Sequence, residues 1–266
     1  MKELLKYSGL DFIKKLLQYE QTRFDENFMS GSAFEKMNAE FGIFPAKKVY
    51  PVYFAGDLTE REKNKKKLIF VGFNPGYSEE HHEEEQATLE AKGYFEMSCE
   101  YFKYFKKQNK PLSYYSNIYS FIERLFQAKK LKINEQWDWF QKNLINLEFI
   151  PYHSKDAAGL RINNLQEFKY THFESFCKFL SYLDPEDPIF INGFPTFEKY
   201  FADPIFKQDI TFIKTKSGNV WVGTIRGYRF IGLPFLTRVA GGLDGVVTNV
   251  QGILKETDFS HRAELT

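Results

Sequence analysis

The sequence is poor in cysteine and in long apolar runs, and each shortage excludes a class of protein. Its two cysteines, Cys99 and Cys177, are too few for a disulfide scaffold, or for a four-cysteine zinc site or iron–sulfur cluster within the chain. No apolar run approaches the roughly 18 to 20 residues of a membrane span, and residues 1–7 lack the apolar segment of a signal peptide. We therefore expect a reduced, cytoplasmic protein with no membrane partner.

Net charge is also scarce, because 36 basic and 35 acidic residues leave a formal charge of +1. Many nucleic-acid-binding domains are strongly basic, and this chain as a whole is not. Any surface of this protein that binds phosphate must therefore be a basic patch confined to part of the molecule. Aromatic residues are abundant instead, with 29 Phe and 16 Tyr among 266 residues. These rings favour a large core, and the alternative is an additional surface on which bases stack.

Four short apolar runs separated by helical periodicity predict a parallel sheet. The predicted strands lie near residues 68–73, 144–150, 189–192 and 229–233. The predicted helices cover residues 1–22, 114–126 and 166–183, and alternation over 211–225 predicts a hairpin. We therefore predict an α/β fold with three layers, α/β/α, around a four-stranded parallel sheet. We expect a single domain over residues 1–266, with a helical elaboration over 1–65 and a core over about 66–254.

The predicted strands end in polar or glycine-rich segments, and in an open parallel sheet binding sites gather at such ends. The first strand runs into Gly-Phe-Asn-Pro-Gly at residues 72–76. Glycine lets a backbone approach a ligand, and proline stiffens a turn. Asn74 could hold a water through its side-chain carbonyl, and the alternative is a tight turn in which Asn74 caps the next helix. We predict one cleft formed by all four strand ends.

The segment Val71–Gly76 resembles the first motif of the uracil-DNA glycosylase superfamily, in the form found in its mismatch-specific and single-strand-selective branches. The resemblance implies that Asn74 positions the hydrolytic water. It also implies that the surrounding turn, with Gly72, Phe73, Pro75 and Gly76, contacts the base. The segment 143–151 is similar to the strand of that family that ends near a uracil-reading asparagine, here Asn146. The matching segments span about residues 70–242.

The last matching segment, Leu233–Gly242, resembles the loop that the family inserts into the minor groove. By that resemblance Leu233, Pro234 and Phe235 belong to a DNA-binding loop, and Arg238 could contact phosphate or pair with a surface carboxylate. Leu233 stands where the family has a histidine that steadies the departing uracil anion. Leucine donates no hydrogen bond to that charge, and losing such a contact costs on the order of 100- to 1000-fold in rate.

Two further residues are candidates for the site. Tyr77 follows the first motif directly and matches the family's base-stacking ring by position, although a role in core packing is equally compatible. His153 follows Asn146 at the same predicted sheet edge and could replace the missing histidine, or it could be a structural residue. The run His81–Glu85 invites a metal interpretation, but adjacent residues on a helix point in different directions, so we predict a solvated face and no metal.

These observations leave two functions open. The first is hydrolysis of the N-glycosidic bond of an extruded, damaged base in DNA, with weak or no activity on uracil. The second is a catalytically impaired module of the same fold that binds a nucleobase, a nucleotide or DNA. We expect no cofactor in either case, and a monomer. A third class, an unrelated nucleotide-binding enzyme, would need a phosphate-cradling loop, and residues 72–76 lack the lysine and spacing of one.

Overall fold

The computed structural model describes residues 2–27, 51–60, 64–75, 92–108, 112–153, 161–216, 219–239 and 242–256. Its strands are β1 (Phe54–Ala55), β2 (Leu68–Gly72), β3 (Leu144–Glu148), β4 (Ile189–Asn192), β5 (Ile210–Lys214), β6 (Trp221–Ile225) and β7 (Tyr228–Leu233). They form one mixed sheet in the order β1-β3-β2-β4-β7-β6-β5. The protein is therefore of the α/β class.

The described helices are α1 (Gly9–Asn27), α2 (Tyr94–Cys99), α3 (Tyr101–Gln108), α4 (Ser113–Phe126), α5 (Ile133–Asn143), α6 (Leu165–Phe168), α7 (Glu174–Leu183), α8 (Phe194–Phe201) and α9 (Asp244–Glu256). A π-helical turn at Lys169–Phe173 joins α6 to α7, so the helix predicted over 166–183 is present with a local widening. Short 3-10 segments lie at Lys2–Lys6, Pro204–Phe206 and Leu236–Arg238. None of the helices in the described part of the chain is long and apolar enough to span a membrane.

The four strands predicted from the sequence are the parallel strands at the middle of the sheet. β2 pairs in parallel with β3 and β4, and β4 pairs in parallel with β7. The predicted number of strands was wrong, because β1, β5 and β6 add antiparallel pairs at the two edges. β1 has only two residues and lies in the region predicted as helical, and such a short segment carries no periodicity of its own.

The predicted hairpin is β5 and β6, and its turn at residues 217–218 lies outside the described residues. Alternation along each strand sends successive side chains to opposite faces. Ile69 and Val71 of β2 pack in one core with α1, α7 and α8, whereas Leu68 and Phe70 pack in a second core with α4, α5 and α9. We call these faces the α1 face and the α4 face. Helices therefore cover both sides of the sheet.

Candidate functional site at the carboxyl ends of the parallel strands

Polar residues interrupt the apolar pattern on the α4 face where the parallel strands end. Leu68 and Phe70 lead to Gly72 on this face, Leu144 leads to Asn146 and Glu148, and Phe190 leads to Asn192. Tyr114, near the start of α4, lies over the same strand ends. We call Gly72, Tyr114, Asn146, Glu148 and Asn192 the strand-end cluster.

Hydrogen bonds connect the cluster across four parts of the fold. The hydroxyl of Tyr114 donates to Oδ1 of Asn146 at 3.0 Å, and Nδ2 of Asn146 donates to Oε1 of Glu148 at 2.7 Å. Oδ1 of Asn192 accepts from the backbone N–H of Leu236 at 3.1 Å, which ties the segment after β7 to the end of β4. The cluster therefore brings together groups from β3, β4, α4 and the segment after β7.

Glu148 is the unusual member of the cluster. Its side chain is 9% exposed, and its Oε2 atom is buried without a hydrogen-bond partner among the described residues. Burial raises the pKa of this carboxyl to about 8, against the opposing hydrogen bond from Asn146. Glu148 is therefore mostly protonated at neutral pH.

Gly72 provides the space for this carboxyl. Gly72 is the parallel partner of Glu148 across β2 and β3, and a Cβ atom at Gly72 would lie 2.4 Å from Oε2 of Glu148. Real Cβ atoms do not approach an oxygen so closely, so any larger residue at 72 displaces the carboxyl. The sequence motif suggested that this glycine admits a ligand, and in the structure the group that it admits is a side chain of the same protein.

Tyr114 remains a hydrogen-bond donor at all ordinary pH values. Burial raises its pKa well above the usual value, the charge of Glu148 raises it further, and a hydrogen bond with Asn192 opposes the change. A phenol that stays protonated fixes the direction of the hydrogen bond to Asn146. The amide nitrogen of Asn146 then points toward Glu148.

The residues of the first motif divide between core and turn. Phe73 is buried on the α1 face, where its ring contacts Phe197 at a centroid distance of 5.2 Å. Nδ2 of Asn74 donates to the carbonyl of Pro75 at 2.9 Å and more weakly to that of Tyr152 at 3.4 Å, so this turn is joined to the segment after β3. Asn74 and Pro75 are half-buried. Gly76, Tyr77 and the run 81–85 lie outside the described residues.

His153 and the segment after β7 lie at the same edge of the sheet. His153 is 5% exposed and directly follows Tyr152, whose carbonyl faces Asn74. Leu233 is fully buried in the core of the α4 face, as the last residue of β7. Pro234 is half-buried, and of Arg238 the structure describes only the backbone, as the end of a 3-10 turn. The catalytic role of His153 and the DNA-binding role of residues 233–238 remain predictions.

Phe235 turns back onto the protein. An ideal Cβ at Gly193 would lie 2.4 Å from the Phe235 ring, and Gly193 has a φ of +76°, which also favours glycine. Phe235 is half-buried in this position. Together with the Asn192–Leu236 hydrogen bond, this contact holds the segment after β7 against the end of β4.

The sequence motifs named Asn146 as a site residue, which stays a prediction, and assigned no role to Glu148, Tyr114 or Asn192. The signal for Glu148 was present, because an acidic residue interrupts an apolar strand between Leu147 and Phe149. A charged residue in a strand buried on both faces is rare unless it is paired or functional. Tyr114 carried no such signal, since its place over the strand ends comes from the packing of α4.

Neither metal ligands nor relatives identify a chemistry for the cluster. Within the described ranges, no three His, Cys, Asp or Glu side chains are grouped so that they could hold a metal ion. Comparisons with protein-family models, with curated proteins and with solved structures find no match to this chain. The groups that the described residues bring to this edge include a carboxyl with a raised pKa, three amides, a phenol and the imidazole of His153.

Proposed function

We propose that this protein binds an extruded nucleobase at the strand-end cluster and hydrolyses its N-glycosidic bond. The observation that carries the proposal is the convergence of Asn146, Glu148 and Asn192 on one face, beside the turn that holds Asn74. Amides and a protonated carboxyl offer both donors and acceptors, which the edge of a nucleobase requires. The site lies at the carboxyl ends of parallel strands, where α/β proteins bind ligands.

The amide of Asn146 has a place in base recognition as well as in the cluster. Its Oδ1 accepts from Tyr114, and one of its two N–H groups donates to Glu148. An amide nitrogen carries a second N–H, which the proposal assigns to the base. By the resemblance of the motif, Tyr77 would stack on the base, and Gly72, Pro75 and Gly76 would contact it.

Asn74 would orient the attacking water. Its amide nitrogen donates to the carbonyls of Pro75 and Tyr152, and these contacts fix the orientation of the side chain. An amide cannot take up a proton from water, so this group aligns the nucleophile without activating it. We therefore propose slow chemistry, in which release is faster for deaminated purines and alkylated bases than for uracil.

The fold supports the same proposal. Four parallel strands with helices on both faces are compatible with the uracil-DNA glycosylase-like fold that the motifs at 71–76 and 143–151 imply. In this proposal the partner is DNA, the protein is a monomer, and residues 234–238 contact the DNA backbone.

A second candidate is a binding module of the same fold that has lost catalysis. The observation that favours it is the burial of Leu233, which is 0% exposed and has no group that could stabilise a departing base. Such a module would bind an extruded base without releasing it. The first candidate therefore binds a base and releases it by hydrolysis, and the second only binds it.

One experiment separates the two. Single- and double-stranded oligonucleotides with uracil, hypoxanthine, xanthine or 7-methylguanine are incubated with the wild-type protein, with Asn74→Ala, and with Asn117→Ala as a control. Asn117 lies on α4 outside the cluster, and its amide donates to the carbonyl of Ser113 in its own helix. Release of a base that Asn74→Ala abolishes and Asn117→Ala retains supports the hydrolase. Binding without release supports the module, and neither binding nor release contradicts both.

A further inference from the structure

We propose that Glu148 is the catalytic acid of this site and gives its proton to the departing base. This inference rests on the proposed hydrolysis of an N-glycosidic bond and supplies the group that such a reaction needs. The sequence offers Leu233 where a hydrogen-bond donor to the leaving base is expected, and leucine has nothing to donate. Glu148, at the end of β3 in the same sheet, has a buried oxygen, Oε2, without a protein partner among the described residues.

The hydrogen-bond chain decides which oxygen of Glu148 holds the proton. Tyr114 donates to Asn146, and Asn146 in turn donates to Oε1 of Glu148. Oε1 is therefore an acceptor, and the acidic proton resides on Oε2. Oε2 is the atom that lies against Gly72, at the end of β2, where the Asn74 turn begins.

A purely structural role does not account for this carboxyl. A buried polar atom without a hydrogen bond loses its hydration without compensation, and an apolar residue of similar volume would avoid that loss. The structure instead keeps a glycine at position 72, whose lack of a side chain leaves room for Oε2. Buried acids with shifted pKa values that are grouped with other polar residues are characteristic of active sites.

The electrostatic surroundings suit a proton donor. Burial raises the pKa of Glu148 to about 8, with the Asn146 hydrogen bond opposing the shift. Gly72, Asn146 and Asn192 do not titrate, so Tyr114 is the titratable group that the described residues place against it. An acid is most effective when its pKa is near the working pH, because it is then protonated and can still release its proton.

Atoms and electrons balance in this step. The bond between C1′ of the sugar and the base nitrogen breaks, and its electron pair goes to the base. The proton on Oε2 of Glu148 moves to a ring nitrogen or carbonyl oxygen of the base, which departs neutral, and Glu148 becomes a carboxylate. Water oriented by Asn74 forms the new bond to C1′ and loses one proton, which returns Glu148 to its acid form.

The inference separates bases into two classes. Hypoxanthine, xanthine and uracil would leave as anions and gain from a proton. A 7-methylguanine base is cationic in the nucleotide and departs as a neutral molecule without one. Glu148 should therefore matter for the first class and not for the second.

The test measures single-turnover release of hypoxanthine and of 7-methylguanine from oligonucleotides by the wild-type protein, Glu148→Gln and Glu20→Gln. Glutamine keeps the size of the side chain and can accept the Asn146 hydrogen bond, but it cannot transfer a proton. Glu20 is a second buried glutamate, which accepts from Tyr53 on the α1 face. We expect Glu148→Gln to slow hypoxanthine release about 100-fold. We expect it to leave 7-methylguanine release within about threefold, and Glu20→Gln to change neither.

A pH profile gives a second readout that packing alone would not move. The wild-type rate on hypoxanthine should fall as the pH rises through about 8, and the rate of Glu148→Gln should show no such fall. Tyr114→Phe, which removes the donor to Asn146 but keeps Glu148, should shift that fall and reduce hypoxanthine release selectively. This variant also covers the case in which Glu148→Gln does not fold.

The outcomes separate this inference from the proposed function. If the wild type releases a base and Glu148→Gln slows both bases equally, or neither, Glu148 is not the acid but the hydrolase stands. The same conclusion follows if the wild-type rate does not change between pH 7 and pH 9. If the wild type releases no base from any oligonucleotide, the hydrolase and its acid are both wrong.

Discussion

The two faces of the sheet differ most where its parallel strands end. On the α1 face the ends of β2, β3 and β4 carry Val71, Leu147 and Ile191, all buried in one apolar core. On the α4 face the residues one position further along are Gly72, Glu148 and Asn192. The same strands therefore end in an apolar core on one side and in a polar network on the other, and this asymmetry is the basis for the site proposed on the α4 face.

The largest effect should come from the apolar face. Phe149 is 1% exposed and packs edge-to-face against Phe176 and Phe201 at centroid distances of 5.5 and 5.3 Å. Phe149→Ala should lower the free energy of unfolding by about 3–5 kcal/mol, because it leaves a cavity in a close-packed core. Urea denaturation measures this change. A loss below about 1 kcal/mol would show that the α1 face does not carry the stability assigned to it.

On the polar α4 face, Glu148 should make the stability of the protein depend on pH. Because the pKa of Glu148 is raised above that of the unfolded chain, its contribution to stability is complete below about pH 4.5 and is lost as the pH rises through about 8. Between pH 5 and pH 8 the wild type should lose about 3 kcal/mol relative to Glu148→Gln, at up to about 1.4 kcal/mol per pH unit. Thermal and urea midpoints at both pH values measure the difference. Parallel pH curves for the two proteins would contradict the raised pKa.

Gly72 lies against the Glu148 carboxyl on the α4 face, so a side chain at this position tests the contact between β2 and β3. Gly72→Ala should destabilise the protein by about 1–3 kcal/mol, because its Cβ would collide with the Glu148 carboxyl. Gly252→Ala in α9 is the matched control, since nothing lies within 4 Å of its Cβ, and this change should be neutral or slightly stabilising. In the double variant with Glu148→Ala the cost at position 72 should largely disappear. Additive costs would show that the carboxyl is not what requires the glycine.

The smallest effect should be that of a single hydroxyl. Tyr114→Phe removes the donor to Oδ1 of Asn146 and should lower the free energy of unfolding by about 1 kcal/mol. Tyr119→Phe, on the same helix, removes a hydroxyl that donates to the carbonyl of Lys129, away from the cluster. The two variants should be similar in stability, but only Tyr114→Phe should change the pH dependence that Glu148 confers. If the free energy of unfolding depends on pH in the same way in both variants, Tyr114 does not influence the ionisation of Glu148.

Much of the fold could be predicted from local patterns. The strands β2, β3, β4 and β7 are short apolar runs, and α4 and the segment from α6 to α7 show helical periodicity, so each was found at nearly its observed bounds. The edge strands were harder. β1 has two residues and is defined by its pairing with β3. The pairing of β6 with β7 joins the hairpin to the rest of the sheet, and the alternation of side chains within the hairpin does not predict that partner.

For the candidate site, the sequence predicted a position at the carboxyl ends of the parallel strands, and the structure shows which polar residues contact one another there. Asn74 and Asn146 were predicted from the motifs, and the structure adds a contact of Asn74 with Tyr152 that joins the segments after β2 and β3. Residues 233–235 were predicted to belong to a DNA-binding loop. In the structure Leu233 is buried in the core and Phe235 covers Gly193. Glu148 was visible as a charge in an apolar strand, but its neighbours were not.

The sequence by itself determined the class of the fold, the four central strands and the polar character of their ends. These properties follow from hydrophobic periodicity and turn residues, which act over a few positions along the chain. The tertiary structure alone decided that Gly72 faces Glu148, that Tyr114 reaches Asn146 over 32 positions of sequence, and that the carboxyl is buried. The physical reason is that strand register and desolvation depend on which elements pack together, and the pKa of Glu148 follows from that burial.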